Sequence, residues 1–301
     1  MSDPAHHWEF EALGTHWVVS TPGPLPPAGT DAVTAELDRI DRAWSRFRDD
    51  SMVADMARTP GRFPIPATDQ PLIDWYDRLY RLTGGAVSPF VGQSLINAGY
   101  DAQYTLRRIG GIAPCPAWDD VIASHDGEFV TTTAAVFDAG AAGKGFAIDR
   151  VAGIVAGHAD RFIVDGSGDM VIAGSDPVRV ALEHPGDPSK AIGVATLGSG
   201  SICASAGNRR AWGERGDGGR GGAWHHIIDP TTGTPTWDVL ATWVIAPTAM
   251  LADGLSTALF FVPPERLREQ SALLGTTFDY VVVRHNGTVD YSDNPDWELF
   301  L

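Results

Sequence analysis

Cysteine is nearly absent from this chain. There are two, Cys115 and Cys203, in 301 residues. With no CxxC spacing, neither a zinc site nor a disulfide framework is expected, and buried free thiols are the natural reading. Basic charge is scarce as well. Lys and Arg total 22 against 38 Asp and Glu, a formal net charge of -16. Such a field repels nucleic-acid phosphates and anionic lipid, which argues against both as partners. An acidic protein handling a phosphate-bearing substrate needs local compensation, from a metal ion or a helix N-terminus. No apolar run approaches the length of a membrane span. The opening MSDPAHHWEF has no basic start followed by an apolar stretch, so no signal peptide is expected and the chain reads as cytoplasmic. Several signatures are missing too: GxGxxG, the Walker GxxxxGK[ST], the GxSxG elbow, the kinase set and HExxH.

What is present is ordinary for a folded protein, with 44% hydrophobic and 20% charged residues. The length allows one large domain or two small ones. The 34 Gly and 21 Pro point to many tight turns, and ten Trp either pack a core or stack on flat ligands.

Residues 8–20 read as two short strands broken at Gly14, followed by a Pro-rich loop from Thr21 to Pro27. Val33, Leu37, Ile40, Trp44 and Phe47 form one apolar stripe, so a helix is expected there. A second helix runs from about Pro71 to Leu82, with Asp69 as cap and Gly84-Gly85 as stop. Residues 101–126 show no clear period. FDAGAAGKGFAID is a glycine-rich turn entering a helix, and strand-like runs follow at 161–165, 178–183 and 192–197. Residues 207–223 are rich in glycine and arginine and read as a mobile or ligand-ordered loop. A strand near 240–246 leads into the helix TAMLADGLSTALFFV, ended by Pro263-Pro264 and followed by a short amphipathic helix. The tail holds a hairpin turning on Asn286-Gly287. There is no internal repeat and no linker. Strands come in runs rather than alternating with helices, so the expectation is a single α+β domain over residues 1–301, with mixed or antiparallel sheets packed by helices.

Four constellations bear on chemistry. Asp253 and Thr257 lie four apart on a helix and share a face. A carboxylate and a hydroxyl make an oxygen half-site suited to Mg2+. The alternative is a solvated Asp with Thr bonded to a helix carbonyl, but the helix is otherwise almost wholly apolar, and a buried helix rarely carries an unpaired Asp. The turn Gly140–Gly145 exposes backbone N–H groups before a helix, and Lys144 adds positive charge, as a phosphate would require; many glycine turns, however, serve only close packing. In HHIIDPTTGTP, His226 and Asp229 lie three apart. A His beside a carboxylate can act as a base or an oriented donor, and the alternative is an Asp-Pro turn with exposed histidines. GSGD, from Gly166 to Asp169, shows an acidic group at a strand end, suited to a ribose or an amine, or simply a hairpin turn.

In order along the chain, LGT at 13–15, SRFRDDS at 45–51, GGAVSPFVGQSL at 84–95 and DAGAAGKGFAID at 138–149 are followed by GSGD at 166–169, SAGNRR at 205–210, HIIDPTTGTP at 226–235 and LADGLSTALF at 251–260. This series resembles the ApbE family of FAD:protein FMN transferases over about 250 residues, and HIIDP-T-G-P and AD-x-x-x-T are its most specific blocks. The resemblance implies an ApbE-like fold related to the T-fold. It implies FAD as substrate, Mg2+ on its diphosphate, and an acceptor protein carrying a Ser or Thr. It places the metal on Asp253, Thr257 and the Gly143 carbonyl, and FAD contacts on Leu13, Thr15, Ser88, Lys144, Asp149, Asp169 and Gly207. His226 becomes the expected base, oriented by Asp229, with its pKa raised by nearby carboxylates. Leu13 stands for the family's Met, Ser88 for its Asp, Ala206 for the Ser of TSG and Gly143 for the common Ala. Two rival readings share the scaffold: an Mg-dependent FAD pyrophosphatase giving FMN and AMP, and a non-catalytic FAD-binding protein. Residues 84–99 and 138–150 are expected to meet at one cleft.

Overall fold

The computed structural model describes residues 6–112, 114–213, 224–273, 275 and 277–300. Its frame is one sheet of eight strands. These are β1 (His6–Ala12), β2 (Thr15–Thr21), β3 (Phe162–Gly166), β4 (Asp169–Ala173), β5 (Gly200–Ala206), β6 (Val239–Ala246), β7 (Asp279–Arg284) and β8 (Val289–Tyr291). They lie side by side in chain order, and every pair is antiparallel. The sheet is a meander, interrupted by a large helical insertion between β2 and β3 and smaller ones between later strands.

Alternation along each strand serves two cores, because successive side chains point to opposite faces. On β7, Tyr280 and Val282 join the larger core on the helical face, while Val281 and Val283 join the other. On β6, Val239 faces the helices and Ala241 the opposite side, although they are two residues apart. A shift of register between those two residues explains the switch, since one extra residue turns a strand over. The second face is covered by a three-stranded sheet of Val178–His184, Asp187–Leu197 and Trp297–Leu299.

Four helices matter on the first face: α1 (Pro27–Trp44), α2 (Gln70–Leu82), α3 (Gly143–Val155) and α4 (Ala249–Ala258). The expected stripe of α1 is buried at Val33, Leu37, Ile40 and Trp44. Phe47 lies beyond the helix end and stacks on Tyr104 instead, with ring centroids 5.4 Å apart. Asp69 does not cap α2. It is fully buried, and its carboxylate accepts Arg39 N–H bonds at 2.7 and 2.8 Å and the Trp44 indole N–H at 2.8 Å. An ion pair of that geometry outcompetes a single cap bond. The tail hairpin is present and turns at Gly287, φ 85°, but through the three residues 285–287 rather than the expected two-residue Asn286-Gly287 turn, since the Arg284 N–H donates to the Thr288 carbonyl at 2.9 Å. Among the described residues of 101–126, the regular elements are the short helix Trp118–Val121 and the strand Ile122–Ser124. Of the expected 207–223 loop, residues 207–213 form a helical turn and a two-residue strand; 214–223 lie outside the described residues. Cys203 is buried, Cys115 is half-buried, and both are free. No helix among the described residues is long and apolar enough to cross a membrane.

Candidate active site

A cleft of about 760 Å³ opens where the meander, α3, α4 and the loops after α1 and α2 converge. Two hairpin turns form part of its rim. In the β1–β2 turn both Leu13 (φ 52°) and Gly14 (φ 70°) are left-handed, and in the β3–β4 turn so are Ser167 (φ 59°) and Gly168 (φ 96°). Such paired positive φ values match the twist of two-residue hairpins. For Leu13 and Ser167 the conformation costs roughly 1–2 kcal/mol each, and strain of this kind concentrates at functional sites. The Thr15 hydroxyl donates to Ser167 Oγ at 2.5 Å, and Ser167 donates to the His16 carbonyl at 3.0 Å, tying the two turns together.

The floor carries the charge. Asp253 on α4 is 4% exposed, and its Oδ2 accepts the Gly145 N–H of α3 at 2.8 Å. The two helices meet this closely because residue 145 is glycine: a Cβ there would lie 2.2 Å from the Ala249 carbonyl oxygen and 2.8 Å from Asp253 Cβ. Lys144, one of two lysines in the chain, places Nζ 2.8 Å from Asp169 Oδ2 and donates to the Gly166 carbonyl at 3.1 Å. Asp169, 1% exposed, also accepts the Ala204 N–H at 2.9 Å. Burial, then the charge of Asp169, push the Asp253 carboxyl well above its usual range, with Lys144 and the Gly145 N–H opposing. Burial works against the Lys144 charge, but Asp169 and Asp253 outweigh it and raise its pKa. Two buried carboxylates against one ammonium leave surplus negative charge, which is costly in a dry site without a cation.

Thr257 follows one turn after Asp253 and faces the same cleft. Ser205 on β5 joins it: its hydroxyl lies 2.7 Å from Ser256 Oγ and 3.4 Å from Thr257 Oγ1. Among the described residues no cluster of three His, Cys, Asp or Glu side chains could hold a metal. A cation here would rest on one carboxylate, hydroxyls, main-chain carbonyls and the ligand's own oxygens, which suits Mg2+. The donor set and the surplus charge fit that ion. Gly143 lines the cleft as the first residue of α3, so its carbonyl lies along the helix axis. Gly140 and Ala141 line the same wall just before the helix begins.

Leu13, Thr15, Ser88, Lys144, Gly143, His226, Asp253 and Thr257 thus gather on one cleft. Ser88 is buried and accepts the Phe90 N–H at 3.2 Å. Four expected residues stand apart from the cleft wall, and the first, Asp169, meets it through Lys144. Asp149 accepts the Ala249 and Met250 N–H groups at 2.8 and 2.9 Å, holding the first turn of α4, and burial raises its pKa to about 6. Gly207 packs beneath the His225 ring, whose Cδ2 an added Cβ would approach to 3.3 Å. Asp229 accepts the Thr231 N–H at 2.8 Å and closes its own turn.

His226 also departs from expectation. Burial first, then the positive fields of Arg210 and His225, lower its pKa to about 3, and Asp138 opposes only weakly. Its Nδ1 is buried without a hydrogen-bond partner among the described residues. The carboxylate whose field acts on His226, though only weakly, is Asp138 and not Asp229. Asp138 pairs with Arg46 Nε and accepts the Gly140 N–H at 2.7 Å, while Arg46, only 3% exposed, donates to the Tyr100 carbonyl at 2.8 Å. Arg46, Asp138 and Ser205 stand inside segments that the motif reading quoted. Nothing in their spacing marked them, since Arg46 and Asp138 are 92 residues apart.

The ApbE family model matches residues 13–276. The FAD:protein FMN transferase of Klebsiella pneumoniae (strain 342) is 28% identical over 314 residues, covering 97% of this chain and 88% of that protein. The FAD:protein FMN transferase of Treponema pallidum (strain Nichols) is 29% identical over 276 residues, covering 79% and 72%. In fold, the ApbE protein of Thermotoga maritima MSB8 matches with a TM-score of 0.81 at 24% identity, covering 96% of this chain and 97% of that one. The flavin transferase ApbE from Vibrio cholerae matches with 0.78 at 20% identity, covering 97% and 98%. These solved structures share the chain's overall fold. The chain belongs to the ApbE family, and it is a transferase.

Proposed function

We propose that this enzyme transfers the FMN moiety of FAD to a Ser or Thr hydroxyl of an acceptor protein, with Mg2+, releasing AMP. The observation that carries this reading is the buried Asp253–Lys144–Asp169 cluster, with its surplus negative charge, at the floor of a cleft large enough for a dinucleotide. An acidic chain that must receive a diphosphate needs a cation at that point. The acceptor oxygen forms a bond to the FMN-side phosphorus, the bridging P–O bond breaks, and AMP leaves with the electron pair. Asp253, Thr257 and the Gly143 carbonyl would hold Mg2+, which would supply Lewis acidity for the charge developing on the phosphates. Lys144 places a positive charge beside the same oxygens. His226 lines the cleft and is the proposed acceptor of the hydroxyl proton, although its lowered pKa makes it a weaker base than an ordinary histidine. Leu13 on its strained turn offers an apolar edge to a flat ring, and Thr15 and Ser88 offer polar ones.

The test is AMP release from FAD with protein acceptors present. Wild-type enzyme with Mg2+ should release AMP, and either chelation or Asp253→Ala should abolish release while the protein stays folded. Full turnover by Asp253→Ala would remove Asp253 as ligand and this reading with it.

A further inference from the structure

Seven large apolar side chains are exposed among the described residues, and four of them stand in one loop: Tyr104 (49%), Leu106 (41%), Ile109 (64%) and Ile112 (43%). The loop is tightly held from within. The Asp101 carboxylate accepts the Gln103 and Thr105 N–H groups, each at 3.0 Å, and the Thr105 hydroxyl at 2.7 Å. Leu106 N–H donates to the Gly99 carbonyl at 2.8 Å, and Ile109 N–H to the Asn97 carbonyl at 2.9 Å. Glycine at position 99 is required, because a Cβ would lie 2.3 Å from Arg107 N. Tyr104 (φ 50°) and Leu106 (φ 52°) are both left-handed. Holding two bulky residues there while exposing apolar area is unfavourable for the fold by itself, and an outward-facing apolar patch of this kind marks an interaction surface.

Charge and position say what covers it. Arg107 and Arg108 are exposed in the same loop, and no acidic residue lies between Asp101 and Asp119, in a chain of net charge -16. Tyr104 lies parallel to Phe47 (5.4 Å, 5°), and both line the cleft, so the loop that carries the exposed apolar residues starts at the cleft mouth. We infer that loop 101–112 is the docking surface for the acceptor protein, which lays an acidic, apolar polypeptide segment across it and so delivers its hydroxyl to the cleft. This rests on the transferase reading. The apolar side chains would exclude water around the contact, and the two arginines would steer and orient an acidic partner.

Ile109→Glu and the double variant Arg107→Glu/Arg108→Glu test it. Both positions are exposed, so folding should be preserved, as circular dichroism would report. Each enzyme is incubated with FAD, Mg2+ and protein extract of the source organism, and covalent flavin is read as fluorescence on denaturing gels. FAD binding is followed separately by flavin fluorescence quenching. Each variant should lose roughly tenfold or more of the protein labelling, about 1.4 kcal/mol, with FAD binding unchanged. Added salt should weaken wild-type labelling and leave the arginine variant less affected. Wild-type labelling by both variants overturns the assignment. FAD binding lost in step with labelling would make the loop part of the FAD site instead. Wild-type dimers that Ile109→Glu dissociates in sedimentation would show that a second copy covers the patch. An extract that wild type itself leaves unlabelled, under conditions where FAD binds, counts against the transferase reading, and the docking assignment falls with it.

Discussion

At the scale of single residues the site depends on which charges are dry. Asp253 and His226 are both pushed toward neutrality by burial, in opposite directions of pKa. For His226 the folded pKa, about 3, is below the ordinary value of 6.5. A depressed histidine pKa means the unfolded chain takes up a proton first as pH falls, so its contribution to stability is whole above about 6.5 and erodes below it, by roughly 1.4 kcal/mol per pH unit. His226→Gln should therefore lose less stability than wild type between pH 6.5 and 5, measured by denaturant unfolding. In the native protein the His226 ring signals should not titrate between pH 5 and 8. His226→Ala should cut transfer by ~10²–10⁴ and spare FAD binding. FAD affinity falling as far as turnover would make His226 a substrate-positioning residue instead.

At the scale of elements, the reading from sequence succeeded where one local period or turn decided the outcome. The α1 stripe, the break at Gly14 and the tail hairpin each depend on neighbours within one turn. The shared face of Asp253 and Thr257 was legible for the same reason, being only four residues of helix. Partners distant in the chain were not legible. Asp69 serves an arginine 30 residues earlier rather than its own helix, and Asp149 holds N–H groups 100 residues later. Asp229 failed in the other sense, because its own turn offered the nearer N–H. The α3–α4 contact is the element-scale feature most open to test. Gly145→Ala drives a methyl into the Ala249 carbonyl and Asp253, so the helices must separate. Overpacking of this kind costs ~1–3 kcal/mol. The variant should unfold earlier in urea and need more Mg2+ for half-maximal AMP release. An unchanged Mg2+ requirement would mean that the Gly145 N–H does not position Asp253.

At the scale of the whole molecule, a meander sheet carries its strained turns, its glycine-entry helix and its carboxylate helix to one side, and the expectation that residues 84–99 and 138–150 meet is met there. Asp138 N–H donates to the Pro89 carbonyl at 2.7 Å. The acidic surface keeps other polyanions away, and the buried carboxylates at the cleft floor are where the proposed reading puts its cation. The most direct test of the account is mass spectrometry of acceptor proteins after incubation with the enzyme, FAD and Mg2+. The account predicts peptides that gain one FMN through a phosphoester on Ser or Thr, with an equal amount of AMP released, and neither product from Asp253→Ala. Free FMN and AMP in equal amounts, with no modified peptide, would contradict it and make water the acceptor.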